Sequence, residues 1–136
     1  MKLFVDTSAW YALHDRSDRH HAAAVAFLDR WRTRPVRFFT SDYVADETIT
    51  LLAMRAGRRQ AVDFLDYLKV AGNLTFEFTS GRDFEAAASL FRVRSDKSWS
   101  FTDCISFVQM DRLDLADAFT FDRHFSQYGK NQHPAE

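Results

Sequence analysis

A single cysteine, Cys104, excludes any internal disulfide, so the chain suits a reducing compartment and must be held by its core. Two prolines and four glycines leave little material for flexible linkers. No apolar run approaches the roughly 20 residues that a membrane-spanning helix needs. The opening Met-Lys-Leu-Phe-Val-Asp places an acid too early for the apolar region of a secretory signal. The chain is therefore expected in the cytoplasm, without a membrane partner. An excess of one charge is also lacking, since 18 basic against 19 acidic residues give −1. That excludes a simple basic nucleic-acid glue. It leaves room for an enzyme that gathers cations at an acidic centre and keeps its basic residues around the rim.

What is present is ordinary for a folded domain: 46% hydrophobic residues, 27% charged, and 14 phenylalanines that predict an aromatic core. Residues 1–136 read as one domain with no repeat or low-complexity block, and the polar stretch 129–136 reads as a loose tail.

Leu3-Phe4-Val5 has the continuous apolar character of a strand buried on both faces. A helix is expected from Thr7 to His14, and a longer one from near Asp18 through Trp31, ended by Pro35. Val36 to Thr40 reads as the second strand. Ser41 or Asp42 caps a helix running to Ala56, with Gly57 as its stop. Arg58 to Ala71 is amphipathic, and Leu74 to Phe78 alternates like a half-exposed strand at a sheet edge. Helices over Arg82–Arg94 and Thr102–Leu113 and a strand over Ala118–Phe121 complete the order. Alternating strands and helices predict a three-layer α/β/α sandwich with a mainly parallel sheet.

Ligands of such folds bind beyond the carboxyl ends of the strands. Asp6 follows the first strand directly, Asp122 follows Ala-Phe-Thr-Phe, and Asp103 opens a helix, where the dipole favours an anion. Glu47 shares a helix face with Val44 and Leu51, a costly place for a carboxylate without a cation or hydrogen-bond partner. Each acid also has a structural reading. Asp6 can cap the helix at Thr7, Asp122 a turn at Arg123, and Ser100-Phe-Thr-Asp103 fits a capping box. Glu47 can snorkel from the edge of its stripe. If the four converge, like charges about 4 Å apart repel by roughly 4 kcal/mol per pair at an effective dielectric near 20. A divalent cation then holds them ionised together, and carboxylate ligands select Mg²⁺ or Mn²⁺ over zinc.

Four segments, in this order, resemble the PIN-domain nucleases: Phe-Val-Asp6-Thr7-Ser8-Ala9-Trp10, Glu47 within Ser41-Asp-Tyr-Val-Ala-Asp-Glu-Thr, Ser100-Phe-Thr102-Asp103-Cys104, and Phe119-Thr-Phe-Asp122-Arg-His-Phe125. The resemblance extends to about Tyr128 and is closest to the toxin ribonucleases of VapBC toxin–antitoxin pairs. It implies that Asp6, Glu47, Asp103 and Asp122 form an acidic quartet binding Mg²⁺ or Mn²⁺. Thr7 or Ser8 would position water or phosphate, and Thr102 resembles the hydroxyl residue beside the third acid. It further implies hydrolysis of RNA phosphodiesters, restraint by a VapB-like antitoxin, and a homodimer. Asp42 and Asp46 remain alternatives to Glu47 on its helix, and Asp117 an alternative to Asp122.

Other readings compete. A non-toxin PIN nuclease would share the site. An aspartate-nucleophile phosphatase would begin with Asp6 but needs a second acid two residues on, where Ser8 stands. A PIN-like RNA-binding or scaffold protein would have shed the acids. Cys104 reads as a small core residue, and His20, His21 and His124 as surface residues without zinc spacing. Arg30, Arg32, Arg34 and Arg37, and likewise Arg55, Arg58 and Arg59, read either as solvated helix ends or as contacts to an RNA backbone or an acidic partner. Trp10, Tyr11, Leu13, Trp31 and Tyr43 read as core or as contact surface.

Overall fold

The computed structural model describes residues 1–135. It begins with strand β1 (Lys2–Val5), in which Leu3, Phe4 and Val5 are wholly buried, as an apolar run without alternation demands. The order continues α1 (Thr7–His14), α2 (His21–Asp29), β2 (Arg37–Ser41), α3 (Asp42–Arg55), α4 (Arg58–Val70) and β3 (Leu74–Glu77). It closes with α5 (Gly81–Val93), α6 (Phe101–Arg112), β4 (Asp117–Phe119), α7 (His124–Tyr128) and β5 (Asn131–His133). The strands form one sheet in the order β3-β2-β1-β4-β5, with every neighbouring pair parallel and the helices flanking it. This is the α/β architecture that the alternation predicts. β3 is an edge strand with half-buried residues throughout, in keeping with its alternating sequence. Among the described residues no helix is long and apolar enough to cross a membrane.

Local chemistry explains the boundaries. Ser41 caps α3 by accepting from Val44 N, and Gly57 ends it with φ +136°, where a Cβ would meet Gln60 Oε1 at 2.8 Å. Phe4, Phe64, Phe107, Phe119 and Phe125 are buried to less than 2% exposure and form the aromatic interior.

Two expectations are corrected. The second helix starts at His21, not near Asp18, and stops at Asp29, short of Trp31. Asp15 Oδ1 accepts from the backbone and hydroxyl of Ser17, and Asp18 Oδ2 accepts from His20 N, so side chains hold this segment in turns. The stretch after Gly129 is not a loose tail through its whole length. Asn131 N donates to Ala116 O at 2.8 Å and Thr120 N to His133 O at 2.9 Å, which makes β5 the sheet's edge beyond β4. Gly129, in the left-handed region at φ +105°, reverses the chain between α7 and β5.

The chain steps from β1 outward through β2 to β3, then returns to the opposite side of β1 for β4. The carboxyl ends of β1 and β4 therefore flank the point where strand order reverses, the place where α/β sheets leave a crevice.

Candidate metal centre

At that crevice lies a cleft of about 520 Å³ whose walls include Asp6, Glu47, Asp103 and Asp122, together with Thr7, Ser8 and His124. Each acid arrives by a different local device. Asp6 directly follows β1 and is the N-cap of α1, accepting from Ser8 N. Asp103 sits in the first turn of α6, in a reciprocal capping box with Ser100. Asp122 follows β4 and accepts from His124 N at 2.9 Å. Glu47, Leu51 and Arg55, spaced four residues apart on α3, all border the cleft. The local contacts of Asp6, Asp103 and Asp122 each occupy only one carboxylate oxygen, so the structural reading of these acids does not exclude the functional one.

That division of labour is consistent. Asp6 Oδ2 accepts from the hydroxyls of Ser8 and Thr120, both at 3.0 Å. Asp103 Oδ2 accepts from Ser100 N at 3.1 Å and lies 2.9 Å from His124 Nδ1. Asp122 Oδ1 takes the His124 backbone and lies 3.3 Å from the same imidazole nitrogen. Among the described residues the second oxygen of each aspartate makes no hydrogen bond, so protein groups fix each carboxylate from behind. Ligand-type atoms of Asp103, Asp122 and His124 lie within 4.8 Å of one another. Asp6 and Glu47 face the same cleft outside this tightest group.

The electrostatics record crowding. Burial, followed by the charge of Asp103, pushes the Asp6 carboxyl up to about 7, against the hydrogen bonds of Ser8 and Thr120. Burial also raises Asp103, while His124 and the Ser100 backbone oppose it. Glu47 is raised by burial first and then by Asp103 and Asp122, with the Thr7 hydroxyl pulling the other way. Thr7 Oγ1 is nevertheless buried without a well-formed hydrogen bond. Raised carboxyls in one polar cleft mark a site whose acids await a positive partner.

The donor set fits a divalent cation bound by oxygen. Carboxylate oxygens left unbonded on Asp6, Asp103 and Asp122, the raised Glu47 and the orphaned Thr7 hydroxyl together suit Mg²⁺ or Mn²⁺.

Several residues outside the expected quartet matter. Thr120 is wholly buried; its hydroxyl donates to Asp6 and accepts from Asp122 N at 3.0 Å, tying the two acids together. Ser8 Oγ donates to Asp6 and accepts from Phe121 N at 2.9 Å, which staples the start of α1 to the end of β4. Thr102 is half-buried and does not line the cleft. The sequence signal for Thr120 is a hydroxyl residue two positions before an acid, a weak one. His124, read from sequence as a surface residue, is wedged between Asp103 and Asp122, with Nε2 3.3 Å from Ser98 Oγ.

The alternative acids lie elsewhere. Asp42 accepts from the backbone and hydroxyl of Thr79, and Asp46 is exposed. Asp117 stands at the start of β4, where it holds β5 through Asn131 and His133. Cys104 is buried, and burial pushes its thiol up to about 11, as befits a core residue. Of the two arginine groups only Arg55 borders the cleft; Arg32 pairs with Asp29, Arg30 lies over the Phe27 ring, and Arg37 donates to Thr75. Trp10 and Tyr11 are buried, and Leu13, Trp31 and Tyr43 are half-buried against the core.

Comparison with known proteins agrees with this geometry. Residues 3–131 match the family model of the PIN domain. The chain is 35% identical over 128 residues to the 23S rRNA-specific endonuclease VapC20 of Mycobacterium tuberculosis, covering 93% of this chain and 94% of that protein. It is 29% identical over 132 residues to a VapC ribonuclease of Archaeoglobus fulgidus, covering 93% and 80%. The crystal structure of VapC20, described as a sarcin-ricin loop cleaving toxin, superposes with a TM-score of 0.86 at 31% identity over 94% of this chain and 95% of that one. The Rickettsia felis VapBC2 structure, bound to promoter DNA, shares the fold with a TM-score of 0.71 at 11% identity, over 98% of each chain. The chain belongs to the PIN-domain family, among the VapC ribonucleases.

Proposed function

We propose that this VapC-type endoribonuclease is the toxin of a toxin–antitoxin pair and cleaves RNA at the cleft where Asp6, Glu47, Asp103 and Asp122 meet. The observation that carries the reading is the half-satisfied state of the aspartates: one oxygen of each is fixed by the protein and the other is left to a ligand. These four residues would hold Mg²⁺ or Mn²⁺. The bound cation supplies charge neutralisation at the scissile phosphate and a bound water of lowered pKa.

The protein's own part is positioning. Ser8 and Thr120 clamp Asp6, and the capping box clamps Asp103. His124 braces Asp103 against Asp122, the outer support that fixes ligand orientation in metal sites. Thr7 borders the cleft, and its hydroxyl, which bears on Glu47 without a well-formed hydrogen bond, would position a water or a phosphate oxygen. Arg55, two turns after Glu47, and Arg19 bring cations to the cleft beside its acids.

For substrate we propose ribosomal RNA, supported by the likeness to VapC20 over nearly the whole chain. A VapB-like antitoxin, homodimer formation and a cytoplasmic place complete the reading. In support of an assembled state, Phe84 and Phe91 remain 43% and 51% exposed beside Phe101. Purified protein should cut ribosomal RNA into discrete fragments with Mg²⁺ or Mn²⁺ and stop in EDTA. Expression should arrest growth, with rescue by a small adjacent reading frame. Cleavage undiminished by chelator would refute the metal site, and rescue by no antitoxin would leave a nuclease outside such a pair.

A further inference from the structure

A second depression of about 440 Å³ opens beside the acidic cleft and continues it, with Ser8, Arg19, His20, Ser98, Asp122 and His124 bordering both. Its chemistry is different. The His20 imidazole lies flat on Phe121, with ring centroids 4.4 Å apart and planes inclined by 7°. Both rings are half-buried: His20 precedes α2 without capping it by its side chain, and Phe121, packed against the core, stands just before Asp122. Arg19 Nε donates to His20 Nε2 at 3.2 Å, which holds the ring by its edge and leaves its planar faces unbonded. One face is covered by Phe121; the ring also borders both depressions.

Arg19 and Arg123 line the same depression and are exposed. Among the described residues neither joins an ion pair. This unneutralised positive charge sits next to a strongly acidic centre. A polyanion approaching the acids is repelled by them, so its neighbouring phosphates need cations, and its bases need contacts that do not depend on charge. A flat ring beside a guanidinium supplies both, and this is how unstacked bases of loops and single strands are held.

We propose that the His20–Phe121 stack, with Arg19 and Arg123, is a nucleotide subsite. The base of an RNA residue adjacent to the scissile phosphate stacks on the imidazole, and the two arginines hold flanking phosphates. The assignment rests on the ribonuclease reading above and adds to it a place for the strand: it leaves the acidic cleft past the end of β4 and not along α3.

The test uses an end-labelled RNA hairpin carrying a cleaved loop, and the same hairpin with single abasic residues placed around the cut. His20→Ala should raise KM about 5- to 160-fold, the worth of one base–aromatic stack, with kcat little changed. His20→Phe, which keeps the platform, should restore KM. One abasic position beside the cut should weaken the unsubstituted protein by a similar factor and leave His20→Ala unaffected. Arg19→Ala and Arg123→Ala should flatten the salt dependence of KM. A KM unchanged in His20→Ala, or abasic and His20 penalties that simply multiply, overturns the subsite. An unsubstituted protein that cuts no RNA overturns the ribonuclease reading instead. Anisotropy of the same hairpin then decides the subsite, with equal affinity of the unsubstituted protein and His20→Ala counting against it.

Discussion

Replacing Asp6 by Asn should abolish cleavage and yet make the metal-free protein more stable. Asp6 is 4% exposed, and burial with the charge of Asp103 lifts its carboxyl from 3.8 to about 7. Carrying the ionised form in this site at pH 8 therefore costs on the order of 4 kcal/mol. Asn removes that charge at nearly constant volume but weakens the hydrogen bonds from Ser8 and Thr120, a loss of about 1–2 kcal/mol. The net gain of about 2–3 kcal/mol corresponds to a rise in Tm of roughly 6–15 °C for a domain of this size. The sign follows from proton uptake. With its folded pKa above the unfolded one, Asp6 binds more protons in the native state, so its contribution worsens as pH rises from about 4 through 7. The gap between Asp6→Asn and the unsubstituted protein should thus shrink by about 2–3 kcal/mol on going from pH 8 to pH 5. Thermal unfolding by circular dichroism in EDTA reads both quantities. Adding Mn²⁺ should raise the Tm of the unsubstituted protein more than that of the variant, since only the intact site gains from ligand binding. A variant that melts at or below the unsubstituted protein at pH 8 in EDTA, or a gap independent of pH, refutes the reasoning.

Two further outcomes follow from neighbouring residues. His124→Ala removes the brace on Asp103 and should weaken Mn²⁺ binding about 10- to 100-fold, measured by calorimetry, with His124→Asn restoring part of it. Cys104, buried with its thiol pushed up to about 11, should resist a thiol reagent at pH 8 in the native state and react at once in denaturant.

The parts of the fold legible in the sequence are those in which one local pattern decides. Leu3-Phe4-Val5 has one physical solution, a strand covered on both faces, and Asp6 inherits its place at the sheet's carboxyl end. Glu47 was visible because helical periodicity puts it on a face with Leu51, and that face borders the cleft. β5 was invisible. Asn131, Gln132 and His133 carry no apolar alternation, and their strand exists because β4 needs an edge and Asp117 anchors the segment from the side. The turn over residues 15–20 escapes the periodicity for a related reason, since Asp15 and Asp18 spend their carboxylates on nearby backbone and hydroxyl donors where the helical pattern of the sequence runs on. At the site, the acids were readable one at a time, each at a strand end or a helix start. Their support was not: Thr120 on Asp6, His124 on Asp103 and His20 on Phe121 are meetings of residues brought together only by the sheet.

The proposal that Asp6, Glu47, Asp103 and Asp122 together hold a divalent cation is tested most directly by Mn²⁺ binding, followed by the electron paramagnetic resonance signal of the free ion. The unsubstituted protein should take up Mn²⁺ with an affinity that Mg²⁺ competes away. Asp6→Asn, Glu47→Gln, Asp103→Asn and Asp122→Asn should each weaken uptake while circular dichroism shows the fold intact. Undiminished Mn²⁺ binding by folded Asp6→Asn and Asp103→Asn proteins would contradict the account.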